Sequence, residues 1–279
     1  MKTASKFMIM LAGAGALLGA ACSSSNPATH PDGGGGASGN PFTGVELVPT
    51  DTGFVQDATS GVVGAWYAYG DSVGPNANTT STDSANSDCI SKGGHAITDC
   101  SSITMPTPGQ PFPPDPVSGA MCTTGTAAKV LNDSGGNPDY SNMWGSGIAL
   151  DFNNPGGDAG AKSTYDLSHY TGIAFVFTGS VIPAGKIRVN FPFTGEHGQD
   201  SPYYKGATID NSMLMNNQQV TVKWADVGGP LYLTQQTPPT TPPPFDKTKA
   251  QSIQWQVFTN TTAATPYSFC INHLTLLTN

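Results

Sequence analysis

The sequence predicts an all-β chain, an antiparallel two-sheet β-sandwich with long Pro/Gly-rich loops. Three observations predict it. Charged residues make up only 11% of the 279, too few for the Ala/Glu/Lys/Leu composition of helical bundles and coiled coils. Gly and Pro number 34 and 23, so about a fifth of the chain forms turns, which suits many short strands. Apolar residues recur at every second position in segment after segment, the mark of half-buried antiparallel strands. The net charge of -8 argues against general nucleic-acid binding, which needs a Lys/Arg surface to neutralise phosphates.

The N-terminus reads as an address. Lys2 and Lys6 precede an apolar run of 15 residues at 7–21 (FMIMLAGAGALLGAA). That run is too short for a spanning helix, which needs about 20 residues, and it suits a signal peptide. It ends in Leu18-Gly19-Ala20-Ala21-Cys22, which resembles the lipobox of bacterial lipoproteins, with Gly19 where an aliphatic residue is usual. Residues 1–21 are therefore expected to be a lipoprotein signal peptide, and Cys22 the lipidated residue anchoring the chain to a membrane. Ser23 follows where Asp would signal inner-membrane retention, which favours the outer membrane or cell surface. Cutting there removes two lysines and no acid, taking the net charge from -8 to -10. Residues 22–44, rich in Gly and Ser, bury too little surface to order themselves and read as a tether. Residues 45–279 form the expected single sandwich domain.

Beyond Cys22 the cysteines are Cys89, Cys100, Cys122 and Cys270. An even number in an exported chain implies disulfides, with three pairings open. Cys89 and Cys100 flank a polar loop and would close it, and Cys122 would then reach Cys270 in the last strand. Zinc is disfavoured, because Cys-x10-Cys lacks a second close ligand pair.

The strands follow in order. Segments 62–69, 127–131 and 147–152 are strand-like. Ile173, Phe175 and Phe177 alternate with polar or small neighbours, as do Ile187, Val189 and Phe191, then Val220, Val222 and Trp224, then Ile253, Trp255 and Val257. Phe269, Ile271 and residues 274–277 close the series. Trp224 and Trp255 keep phase with aliphatic neighbours and are expected in the core. In 66–69, Trp66 and Ala68 face opposite to Tyr67 and Tyr69, so one of the two sets lies inside. The proline-rich segments 104–117 and 235–245 are expected to be extended surface loops.

Several of these segments, taken together, resemble a known family. Residues 64–71 (GAWYAYGD), 147–153 (GIALDFN) and 165–175 (YDLSHYTGIAF) resemble galactose-binding-like jelly-roll domains, among them non-catalytic carbohydrate-binding modules of the family-11-like kind. Residues 188–192 (RVNFP) and 252–256 (SIQWQ) fit the next strands. The stretch 269–274 (FCINHL) is similar to the family's Phe-Trp-Ile-Asp-Asp-Leu. The resemblance spans roughly 62–277 and implies a jelly roll with a polysaccharide or glycan partner. It implies no cofactor beyond a possible structural Ca2+, for which Asp57 and Asn272 are the best-placed ligands. Asn272 and His273 stand where the family has two Asp, and Ca2+ prefers several carboxylate oxygens.

The most polar loop is 194–205, with Glu196, His197 and Asp200 followed by Tyr203 and Tyr204. Carboxylates and amides hydrogen-bond sugar hydroxyls, and tyrosines stack on a pyranose face. Trp144, in a Gly-rich loop, is the candidate stacking platform. His95, His169 and His273 read as hydrogen-bonded structural residues. Three functions compete. A surface-tethered, non-catalytic glycan-binding lipoprotein leads, followed by a structural or adhesive envelope lipoprotein without a glycan ligand. The third is a polysaccharide hydrolase using Glu196 and Asp200, with Asp151 or Asp158 beside them. No G-x-S-x-G, H-E-x-x-H or phosphate loop is present.

Overall fold

The computed structural model describes residues 39–73, 87–156, 162–181, 186–193, 205–210, 218–228 and 244–279. The chain divides into Met1–Ala37, outside the described residues, and Ser38–Asn279, which holds all the structure below. Along it run β1 (Gly44–Glu46), β2 (Phe54–Gln56), β3 (Val63–Gly70), β4 (Ser102–Met105), β5 (Met121–Ala127) and β6 (Ser146–Asp151). Then come β7 (Gly172–Val181), β8 (Lys186–Asn190), β9 (Gly206–Asp210), β10 (Gln218–Lys223), β11 (Ser252–Val257) and β12 (Thr265–Leu277). Helix among the described residues is confined to single short turns, as at Asp88–Lys92.

The strands form two sheets, and every pairing between them is antiparallel. The first has the order β10-β7-β12-β5-β4, with β1 laid against the end of β12. The second has the order β2-β3-β6-β11-β8-β9. The expected two-sheet antiparallel sandwich is what the chain forms.

The alternating apolar residues meet between the sheets. From the first sheet come Ile173, Phe175, Phe177, Val220, Val222, Phe269 and Ile271. From the second come Trp66, Ile148, Leu150, Ile187, Val189, Ile253 and Trp255, and all of these are buried in one cluster. Each such side chain removed from water contributes about 1.5–3 kcal/mol. Trp66 stacks on Trp255 with centroids 5.2 Å apart, and Phe177 stacks on Phe269 at 5.2 Å. Trp255 is thus in the core as expected. Trp224 sits half-buried in a turn just after β10, edge-on to Phe191 at 5.4 Å, its Nε1 donating to the Tyr170 carbonyl at 2.6 Å.

Of segment 127–131, only Ala127 lies in a strand. That strand is β5, whose inward positions are Met121, Thr123, Gly125 and Ala127. Hydrophobic alternation does not show there, because the facing Tyr267 fills the space. A Cβ on Gly125 would come within 2.5 Å of the Tyr267 hydroxyl.

Both expected disulfides are present. Cys89–Cys100 closes the polar loop with a Cα–Cα distance of 5.9 Å. Cys122–Cys270 joins directly opposed residues of β5 and β12, 148 positions apart in sequence. The first proline-rich loop runs along the edge of β3 beyond β2: Pro108 bridges to Ala68 and Pro111 to Tyr67. That covers ladder groups that would otherwise be open to strand addition. Residues 229–243, most of the second proline-rich loop, lie outside the described residues.

Candidate functional site

Strand alternation fixes which side chains reach the outer face of the second sheet. Trp66 and Ala68 point inward, paired with Leu150 and Ile148. Tyr67 and Tyr69 therefore point outward, opposite Ala149 and Gly147. The same parity carries Gln254 and Gln256 of β11 outward, and with them Asn190 and Arg188 of β8. The central strand β6 contributes only Gly147 and Ala149 between the tyrosines on one side and the glutamines on the other. The result is a strip along β6 with aromatic rings on one side and amides on the other, Gly147 and Ala149 being buried between them.

Trp144 closes one end. Its ring stacks on Tyr69 with centroids 5.7 Å apart, and Tyr69 lies 6.3 Å from Tyr67. The Trp144 indole Nε1 donates to Asp88 Oδ2 at 2.7 Å, and Asp88 Oδ1 takes Lys92 Nζ at 2.8 Å. Trp144 is thus half-buried, with one ring face and its N–H already engaged, rather than a freely exposed platform. Its loop is held from below by Asp71. That buried carboxylate accepts from Gly145 N (2.8 Å), Ser101 N (2.9 Å) and Ser101 Oγ (2.8 Å). Gly145 has φ +117, and a Cβ there would meet the Val257 carbonyl at 2.1 Å, so only glycine carries Trp144 into β6. Burial raises the Asp71 carboxyl to about 6, the Gly145 and Ser101 hydrogen bonds pulling it only part of the way back. The neighbouring Cys89–Cys100 loop is pinned by His95 Nε2 on Asp139 Oδ2 at 2.9 Å, with Asn142 Nδ2 on the same carboxylate.

Lys162 lies over Tyr67 on the same face. Its Nζ donates to the Tyr67 hydroxyl at 2.7 Å and sits 2.9 Å from Asp151 Oδ1, while Asn154 Nδ2 donates to Asp151 Oδ2 at 2.9 Å. Burial raises the Tyr67 phenol, the nearby ammonium offsetting only part of that. For Lys162, burial pulls downward, but Tyr67 and Asp151 outweigh it and hold the ammonium above its ordinary value. At neutral pH the lysine is protonated and the phenol neutral. On the far side Lys186 pairs with Asp210 at 3.0 Å, and the Arg188 guanidinium stacks on Phe258 at 4.0 Å. Among the described residues, the Asp151 and Asp210 carboxylates of this face each have a lysine partner.

Of the residues singled out in the sequence, Trp144 and Asp151 are on this face. Glu196, His197, Asp200, Tyr203 and Tyr204 belong to the segment joining β8 to β9 and lie outside the described residues, as do Cys22 and Asp158. Asp57 caps its own turn, accepting from Ser60 N and Oγ at 2.7 and 2.9 Å. Asn272 donates to the Ser118 carbonyl at 3.2 Å and accepts from His273 N. Among the described residues no three His, Cys, Asp or Glu side chains come together as a metal site. His273 is the structural residue expected, its Nδ1 2.7 Å from Glu46 Oε1 at a bulge in β12.

The sequence reading named Asp151 only as a possible partner of Glu196 and Asp200, and did not single out Gln254, Gln256, Asn190 and Lys162. For all but Lys162, which is in no strand, the signal was present as parity: these polar residues alternate with the apolar ones that fill the core.

The molecule is thus an all-β sandwich with an aromatic- and amide-lined sheet face. No protein-family model and no curated protein matches the chain. Among solved structures it is similar to the family 11 carbohydrate-binding module of the cellulosomal cellulase Lic26A-Cel5E of Clostridium thermocellum. The identity is 13% over 64% of this chain and 81% of that one, with a TM-score of 0.34. It is also similar to the solution structure of CtCBM11, at 14% identity over 57% and 84% with a TM-score of 0.29. A third neighbour is the Clostridium thermocellum family 11 module in complex with a β-1,3-1,4-mixed-linked tetrasaccharide, at 14% over 57% and 84% with a TM-score of 0.28.

Proposed function

We propose that this chain is a surface-tethered, non-catalytic glycan-binding lipoprotein whose ligand lies on the outer face of the second sheet, along β6. The observation that carries the reading is the composition of the two sides of that strip. Tyr67 and Tyr69 bring half-buried rings, and Gln254 a half-buried amide, to either side of the buried Gly147 and Ala149, with Gln256 and Asn190 buried beside Gln254. Sugars present apolar C–H faces ringed by hydroxyls, and this pairing of surfaces suits both. Asp151 and Asp210 each face a lysine, which favours binding over hydrolysis, since glycoside hydrolysis needs two carboxylates flanking one bond. Two disulfides fit an oxidising compartment outside the cytosol, and the signal run ending at Cys22 supplies the route and the anchor. A glycan array probed with the chain beginning at residue 23 tests the reading. Retention of at least one glycan is expected, with Tyr67→Ala and Tyr69→Ala each weakening it tenfold or more. Retention unchanged in both variants would move the site elsewhere.

A further inference from the structure

The two disulfides sit in unlike surroundings. Cys89 and Cys100 are 0% and 7% exposed and pack in a small apolar cluster with Ala128, Val130 and Met143. Cys122 and Cys270 are half-buried on the outer face of the first sheet. Strand parity puts them there: Thr123 and Phe269, the next residues along each strand, point into the core, so the cysteines point away from it. Beside the bond on that face lie Thr124 and Ser268, whose hydroxyls meet at 3.2 Å. Thr178 stands opposite Cys270 on β7, and Asn272 two positions along β12. None of these four neighbours is a carboxylate that would repel an incoming anion, although the chain as a whole is acidic.

The two sulfurs also differ in access. Exchange requires a thiolate to reach one sulfur from the side away from the other. Cys270 has a paired strand on both sides, β5 and β7. Cys122 has β12 on one side only, because β4 ends with Met105 paired to Thr124 and does not extend to it.

We infer that Cys122–Cys270 is a site of thiol–disulfide exchange with an external dithiol, and that Cys122 is the sulfur attacked, while Cys89–Cys100 stays closed. The first thiolate of the dithiol bonds to Cys122 Sγ as the S–S bond breaks, and Cys270 leaves as a thiolate that takes up a proton. The second sulfur of the dithiol then attacks the first, releasing Cys122 as a thiol and the reagent as a cyclic disulfide. Two electrons pass from the dithiol to the protein, and its two protons end on Cys122 and Cys270. The opened strands keep their register, since the β5–β12 ladder runs from Ala127 opposite Thr265 to Met121 opposite Ile271. The site lies on the sheet opposite the proposed glycan face and does not depend on that reading.

Dithiothreitol in native buffer, applied to the oxidised chain beginning at residue 23, is the test. Samples quenched with iodoacetamide over time are read by peptide mapping, with tryptophan fluorescence followed in parallel. Cys122 and Cys270 are expected to be alkylated roughly tenfold faster or more than Cys89 and Cys100, with the fluorescence unchanged. Reduced glutathione, a monothiol, is expected to leave its mixed disulfide on Cys122, with iodoacetamide capping Cys270. Urea below the unfolding transition is expected to change the rate by no more than about twofold. Equal rates for the two pairs, or faster opening of Cys89–Cys100, overturn the inference. A rate that climbs with urea in step with global unfolding also overturns it, since opening would then need the unfolded chain. Absence of alkylation at both pairs while the chain stays folded overturns it too. A glutathione adduct on Cys270 overturns the assignment of the attacked sulfur.

Discussion

Phe175 of the first sheet meets Trp255 of the second edge-on, with ring centroids 5.4 Å apart and planes at 88°. The contact bridges the two layers at the middle of the core, and both rings are fully buried. Replacing Trp255 with Ala would leave a cavity facing Phe175 and Trp66. The expected loss is about 3–5 kcal/mol of folding stability. Urea denaturation would show a lower midpoint with an unchanged slope; a loss under about 1 kcal/mol would mean the sheets do not close on this pair.

Asp71 makes stability depend on pH with an uncommon sign. Its folded value of about 6 lies above the ordinary 3.8, so the folded chain holds the proton more tightly. Its contribution is fully present below about pH 3.8 and is lost as pH rises through about 6. The difference of roughly two units corresponds to about 3 kcal/mol. In Asp71→Asn this component is expected to disappear, so the wild-type-minus-variant stability should fall between pH 4 and pH 7. A difference that rises over the same window would contradict the assignment.

The Cys122–Cys270 bond closes a loop of 148 positions. Loop-closure entropy for that length gives roughly 4–5 kcal/mol, and removal of native disulfides commonly costs about 2–5 kcal/mol. The double variant Cys122→Ser, Cys270→Ser is expected to lose a stability in that range by thermal and urea unfolding. Peptide mapping without reductant should recover the 122–270 and 89–100 pairs and no others among these four residues.

The Trp144 indole is held by Asp88, which fixes its ring against Tyr69. Asp88→Ala removes the acceptor for Nε1 and the partner of Lys92 together. Glycan affinity is expected to drop about three- to tenfold, with a change in the near-ultraviolet tryptophan signal. Asp88→Asn keeps an acceptor oxygen and is expected to restore most of the affinity. Equal losses in both variants would point to the Lys92 ion pair instead.

The core was readable where inward positions are apolar. Ile173, Phe175 and Phe177 and their counterparts in β8, β10 and β11 announce both strand and direction, because burial on one face demands the alternation. β5 was hidden because Thr123 and Gly125 are inward for the sake of the Tyr267 ring. The aromatic and amide face of the second sheet was hidden for another reason. Lys162 lies 95 positions from Tyr67, and Gln256 lies 112 from Trp144. No local spacing joins them; only the register of β3, β6, β11 and β8 does. The sequence reading weighted local polar density instead and so favoured Glu196 to Tyr204.

Strand β1 lies against the end of β12, Gly44 opposite Leu277. The polypeptide therefore enters and leaves the sandwich at a single corner. A cargo domain fused at either end would hang from that same corner. A circularly permuted version would need only a short linker to join the old ends. Mechanical load between those ends would act on the few ladder bonds of β1 before reaching the core.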